Sequence, residues 1–283
     1  MSERSAPRRA AVRIRNRLSN TTTPHAMKYH KKEEELFARW GERARKLRDN
    51  EDITKDGLLY RGEVWFDGYC QVHRKANEEQ LWADADMRLL VLTKELYDED
   101  GWDIRGESGR VPSPRLTCRT AYRFFPNLEL WVYGLMNIPD RKVVPFAKAD
   151  NETRLQGFYE NAPIARVNCK KQPDNKAASN TVLQKYLDNY ADLLKEQIEL
   201  YDADVILCLG GQGLMVKFIA DHIYSDLEQV NGHCWYSPSS GVAVVKQYHP
   251  CYNVYSRKEM YTDMMKDYQA FIKATPAFPR GRK

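Results

Sequence analysis

Apolar residues in this chain collect in four short runs: Arg88-Leu89-Leu90-Val91-Leu92-Thr93, Ile164-Ala165-Arg166-Val167-Asn168, Asp204-Val205-Ile206-Leu207-Cys208-Leu209, and Gly241 to Gln247. They are rich in Val, Ile and Leu and do not alternate with polar residues. Such runs read as strands covered on both faces, the habit of parallel sheets. Between them apolar positions recur at helical spacing. Leu183, Leu187, Tyr190, Leu194 and Ile198 predict a helix over Asn180 to Tyr201. Gln212 to Leu227 and Lys258 to Ala274 read as two more. Leu36, Phe37, Trp40 and Leu47 form an apolar stripe among charges, predicting a helix from His30 to Arg48. Strands alternating with helices through right-handed crossovers predict an α/β fold, a three-layer α/β/α sandwich around a central four-stranded, mostly parallel sheet.

Charge divides the chain. Residues 1–48 hold 14 Lys/Arg against 5 Asp/Glu, which leaves 30 against 34 for the rest. The basic character therefore belongs to an N-terminal arm, whose Arg4, Arg8, Arg9, Arg13, Arg15 and Arg17 lie among Ser, Thr and Pro. The arm reads as a disordered segment that touches phosphates, or as a solvated tail, with an organelle transit peptide as the minor alternative. The expected organisation is an arm over residues 1–29, a helical and irregular lead-in over 30–87, and the α/β/α domain over 88–283. No apolar run approaches the ~18 residues of a membrane helix. Six cysteines are scattered without a C-x-x-C pair, so neither a zinc ribbon nor an iron–sulfur motif is readable. These features together predict a cytoplasmic protein without membrane contact or metal.

Each predicted strand runs into residues with chemical potential. The first leads to Thr93-Lys94-Glu95-Leu96-Tyr97-Asp98, the second to Asn168-Cys169-Lys170-Lys171-Gln172-Pro173, the third to Gly210-Gly211-Gln212-Gly213, and the fourth to Tyr248-His249-Pro250. In a parallel sheet these ends share one edge, where open α/β folds keep their ligands. A carboxylate, an amide, a glycine-rich helix start suited to an anion and an imidazole would then meet.

In this order the four segments resemble the uracil-DNA glycosylase superfamily, over roughly Arg88 to Lys273. Thr93-Lys94-Glu95-Leu96-Tyr97 stands where the family carries Gly-Gln-Asp-Pro-Tyr or Gly-x-Asn-Pro-Gly. Ile164 to Asn175 is similar to the strand end Asn-Val-Val-Lys-Cys-Arg-Pro-Pro-Gly-Asn of the iron–sulfur branch. Ile206 to Gly210 resembles that branch's phosphate-contacting turn, and Tyr248-His249-Pro250 matches its Tyr-His-Pro. The chain departs from the pattern as well. Thr93 and Leu96 replace Gly and Pro, the cluster cysteines are absent, and the branch's Asn falls on Arg166 unless the alignment shifts by two to Asn168.

The resemblance implies a uracil-DNA glycosylase-like sandwich and a monofunctional DNA glycosylase without cofactor. Such an enzyme flips a base out of DNA and hydrolyses its N-glycosidic bond. Glu95 would activate water, His249 would donate to the departing base, and Asn168 would read the base edge. Tyr97, Asp98, Phe124 and Phe125 would line the base pocket. Lys170, Lys171, Gly210, Gly211, Gln212, Pro250, Tyr252, Asn253, Arg257 and Lys258 would contact DNA, with Tyr252, Asn253 or Val254 as a wedge. Lys94 is the nearest candidate for a Schiff-base lysine. The expected partner of this monomer is DNA, double-stranded with a flipped base or single-stranded. The substrate is a hypermodified cytosine of phage DNA removed in antiviral defence, or uracil and other damaged bases removed in repair. A non-catalytic DNA-binding module and a small-molecule α/β hydrolase are the rival readings.

Overall fold

The computed structural model describes residues 28–61, 64–67, 70–73, 77–96, 101–106, 123–174 and 177–281. In chain order its elements are α1 (Lys28–Leu47), β1 (Gly57–Leu58), β2 (Val64–Asp67), β3 (Cys70–His73), α2 (Glu78–Ala83), β4 (Leu89–Thr93) and α3 (Phe125–Met136). There follow α4 (Phe146–Ala149), α5 (Glu152–Asn161), β5 (Ile164–Asn168), α6 (Asn180–Asn189), α7 (Ala191–Tyr201), β6 (Val205–Leu209) and α8 (Leu214–His222). The chain ends with β7 (Glu228–Gln229), β8 (Cys234–Ser237), β9 (Val242–Gln247) and α9 (Arg257–Ala274).

The four apolar runs are the strands β4, β5, β6 and β9. They lie side by side in the order β5-β4-β6-β9, all parallel. Thr93 pairs in register with Asn168, and Leu209 with Gln247, so the carboxyl ends form one edge. Every residue of β4, β5 and β6 is buried. Alternate residues serve two cores. Leu89, Val91, Ile164, Leu207 and Val245 meet Trp131 of α3, Tyr159 of α5 and Phe271 of α9. Leu90, Leu92, Val167, Ile206 and Val244 meet Trp40 of α1, Leu183 of α6, Ile198 of α7 and Phe218 of α8.

The sheet is wider than the expected four strands. It is a seven-stranded mixed sheet, with β1 antiparallel to β5 at one edge and β8 antiparallel to β9 at the other, followed by β7. β1 and β7 have two residues each, too short for any period to show. β8 turns into β9 through Pro238 to Gly241, where Gly241 sits at φ +68 and its N–H closes onto the Ser237 carbonyl.

Two expected helices are also revised. Asn180 to Tyr201 is two helices, because Tyr190 leaves the helical conformation and its ring stacks on Trp40 and Tyr186. The helix expected from Gln212 starts at Leu214 and stops at His222, since Gly210 to Gly213 all have positive φ. The lead-in does more than cover the body. It supplies the edge strand β1 and buries Leu36, Trp40, Leu58 and Trp82 in the second core. Helix α3 had no polar face to reveal it, and Phe125 and Asn127 to Leu135 are all buried. Among the described residues no helix is long and apolar enough to cross a membrane.

Candidate active site

The carboxyl edge of the parallel strands is built from four strand ends spaced by about 4.8 Å. At the end of β4 the buried Thr93 hydroxyl donates to Oδ1 of Asn168. Two residues on, the Glu95 side chain is only 6% exposed. Its Oε1 accepts the Ala178 N–H at 2.9 Å, and its Oε2 has no hydrogen-bond partner among the described residues. Burial pushes this carboxyl above the usual glutamate range, while the Ala178 N–H and the Lys94 and Lys170 ammoniums oppose the rise. The Lys94 ammonium donates to the Ala178 carbonyl and lies 4.0 Å from Glu95 Oε1.

At the end of β5, Asn168 is 2% exposed. Its backbone N–H donates to Asp56 Oδ2 at 2.8 Å, and its Nδ2 has no partner among the described residues. The two lysines that follow do not face solvent. Lys170 donates to the Gln172 carbonyl at 2.7 Å, lies 3.8 Å from the Asp174 carboxylate and sits over the Tyr186 ring. Lys171 is fully enclosed, 2.6 Å from both oxygens of the equally buried Asp56 and 4.9 Å from the Trp40 ring centre. Their expected role on DNA phosphates is therefore corrected, because each charge is satisfied inside the fold.

At the end of β6, Gly210, Gly211, Gln212 and Gly213 turn the chain into α8 with φ of +78, +67, +49 and +92. Gly210 packs beside the backbone and Cβ of His249, where a Cβ would lie 3.4 Å away, and its φ of +78 is the feature that calls for glycine. Gly211 is buried, while Gln212 is exposed and accepts from Asn180 Nδ2 at 2.6 Å.

Past β9, His249 is exposed. Its Nδ1 accepts the Cys251 N–H at 3.1 Å, and its carbonyl accepts the Tyr252 N–H at 2.8 Å. Pro250 is buried, tied through its carbonyl to Asn127 Nδ2 of α3 at 2.6 Å. That contact brings the start of α3 over the edge. The Phe124 ring lies 5.7 Å from the His249 ring and 5.7 Å from the Arg166 guanidinium. Phe124 thus bridges the β9 and β5 sides of the edge. Phe125 is fully buried, packed on Tyr159 and, like Phe124, beside the Arg166 guanidinium, at 5.8 Å. Beyond Pro250, Tyr252 stacks parallel on Tyr248 at 4.5 Å, and Asn253 and Val254 are exposed, Val254 at 69%. Lys258 is exposed, whereas Arg257 pairs with Asp150 and donates to the Pro126 carbonyl, a structural role in place of the expected DNA contact.

Direct contacts join Thr93 with Asn168, Gly210 with His249, His249 with Phe124 and with Tyr252, and Lys94 with Glu95 and Lys170. Tyr97 and Asp98 lie outside the described residues. Asp56 and Asn127 are groups that sequence reading did not find. Nothing local marks Asp56, whose partners Asn168, Lys171 and Gln197 are all more than a hundred positions away. Among the described residues no three His, Cys, Asp or Glu side chains are grouped to hold a metal ion. Cys169, Cys208, Cys234 and Cys251 are buried free thiols, and burial pushes Cys169 up to about 12.

Chemically, the edge offers a carboxyl oxygen and an amide NH2 group without hydrogen-bond partners among the described residues, and an imidazole whose Nδ1 accepts a backbone N–H. No protein-family model matches the chain, and no curated protein matches it.

Proposed function

We propose that this chain is a monofunctional DNA N-glycosylase on a uracil-DNA glycosylase-like sandwich. The observation that carries the reading is that Glu95, Asn168, Gly210 and His249, far apart in sequence, lie at or just past the ends of four adjacent parallel strands. The strand order β5-β4-β6-β9 and helices on both faces agree with it.

A base inside a duplex is out of reach of such an edge, so the nucleotide is extruded first. As the bond between C1′ and the base nitrogen breaks, its electron pair leaves with the base and positive charge grows on the sugar. Glu95, ionised, stabilises that charge and takes a proton from the water whose oxygen bonds to C1′. His249 serves as a neutral donor. Because Nδ1 accepts the Cys251 N–H, the proton of the neutral ring lies on Nε2, where it can meet the charge developing on the base. Asn168 presents Nδ2 to the base edge, and the half-buried Phe124 offers a ring face beside His249. Tyr252, Asn253, Val254 and Lys258 supply the outer contacts with DNA.

Thr93 and Leu96 in the first turn favour a base other than unmodified uracil, and a modified cytosine of phage DNA is the substrate we favour. Release of a free base from modified DNA by the wild-type protein, identified by mass, with one abasic site formed per base, tests the reading. DNA binding without base release would reduce it to a binding module.

A further inference from the structure

The buried pair of Asp56 and Lys171 is weak evidence of added stability, because the cost of taking two charges out of water offsets much of their attraction. What the pair does is geometric. Asp56 precedes β1 in the lead-in, and its carboxylate gathers the Asn168 N–H at 2.8 Å, Lys171 Nζ at 2.6 Å and Gln197 Nε2 at 2.9 Å. Lys171 returns the link, its carbonyl accepting the Thr54 N–H at 3.0 Å. The turn from 168 to 171 is thereby pinned at both ends from behind the sheet edge. From the β4 side Thr93 holds Asn168 Oδ1. Backbone N–H and amide oxygen are both engaged, and Nδ2, on a residue only 2% exposed, has no hydrogen-bond partner among the described residues. A buried NH2 group left so is costly unless a ligand supplies an acceptor.

We propose that Asp56 and Lys171 are positioning residues. With Thr93 they orient Asn168 so that its Nδ2 donates to a carbonyl oxygen or an unprotonated ring nitrogen of the extruded base. This inference rests on the glycosylase reading for the identity of the ligand, and the geometry on which it stands involves the lead-in, outside the part of the chain that carries the family resemblance.

The experiment compares two combinations. Asp56→Asn/Lys171→Met removes both charges but keeps an acceptor for the Asn168 N–H. Asp56→Leu/Lys171→Met/Gln197→Leu replaces the cluster by apolar side chains and leaves that N–H without one. Affinity is measured for oligonucleotides carrying one hydrolysis-resistant 2′-fluoroarabino nucleotide, with uracil or 5-hydroxymethylcytosine as base, and for the same strand unmodified. Hydrogen exchange of the Asn168 amide is followed alongside thermal unfolding.

The triple variant is expected to stay folded, to bind the better of the two modified strands about tenfold more weakly, and to keep wild-type affinity for the unmodified strand. The Asn/Met variant recovers most of the loss. The Asn168 amide exchanges slowly in the wild type and the Asn/Met variant and fast in the triple variant. Wild-type affinity of the triple variant for the modified strands, or an equal loss for the unmodified strand, overturns the inference while leaving base release intact. Should the wild type not distinguish modified from unmodified strands, the glycosylase reading falls, and fast exchange of the wild-type Asn168 amide then overturns the positioning role as well.

Discussion

The Cys251 backbone N–H donates to Nδ1 of His249 at 3.1 Å. A backbone N–H can only donate, so Nδ1 is an acceptor and the neutral ring carries its proton on Nε2. In the proposed mechanism His249 then serves as a donor without first becoming charged. His249→Ala is expected to lower single-turnover base release by about 10²–10⁴-fold with little change in affinity for DNA. A loss seen only in affinity would place His249 outside the chemical step.

Glu95 is held above the ordinary glutamate range mainly by burial. As a base it works only when ionised, so the rate should rise with pH along a limb centred above 4.5. The stability contribution runs the opposite way. A raised acid pKa means that the folded state favours the protonated form, so this stabilisation is present at acid pH and is lost as pH climbs through the raised value. Glu95→Gln should consequently unfold at a higher temperature than wild type at neutral pH, while losing about 10²–10⁴-fold in base release. A pH–rate profile and melting curves of the two proteins check both.

His30 at the start of α1 lies between Glu33 and Glu78, at 2.9 and 2.8 Å. Burial alone would lower its pKa, but the hydrogen bonds of the two carboxylates outweigh it and raise the group to about 9. The imidazolium therefore stabilises the fold fully below about pH 6.5, and the contribution disappears as pH rises from there to about 9. With its side chain 18% exposed, the loss amounts to about 3 kcal/mol. Denaturant titrations at pH 6 and pH 9 should show that drop in the wild type and not in His30→Gln.

Val254 is 69% exposed in the loop that follows His249. Val254→Asp should leave the melting temperature within about 1 °C of wild type, as surface changes do. It should weaken binding to duplex DNA about tenfold or more, through lost wedge contact and repulsion from phosphates. Equal affinity would remove this loop from the DNA-binding surface.

The parallel strands were legible because each is covered on both faces and so written in uninterrupted Val, Ile and Leu. Gly210 and His249 were legible because a positive φ and a strand-ending Pro250 leave marks in sequence. Lys171 was not. A lysine after a strand end reads as exposed, and the carboxylate that draws it inward lies 115 positions earlier. Phe124 and Phe125 are adjacent in sequence, yet one faces His249 and the other the core, a division decided by where Asn127 ties α3 to Pro250. The break at Tyr190 depends on the Trp40 ring stacked on it from α1, which no periodicity within residues 180–201 records.

The account turns on whether Glu95 and His249 together release a base. Purified wild-type protein, Glu95→Gln and His249→Ala should be incubated with uracil-containing DNA and with DNA bearing hydroxymethylated or glucosylated cytosine, and the freed bases identified by mass. The wild type should liberate one kind of base with matching abasic sites, and both variants should be slower by at least about 10²-fold. Wild-type rates from either variant, or DNA binding with no base set free from any substrate, would contradict it.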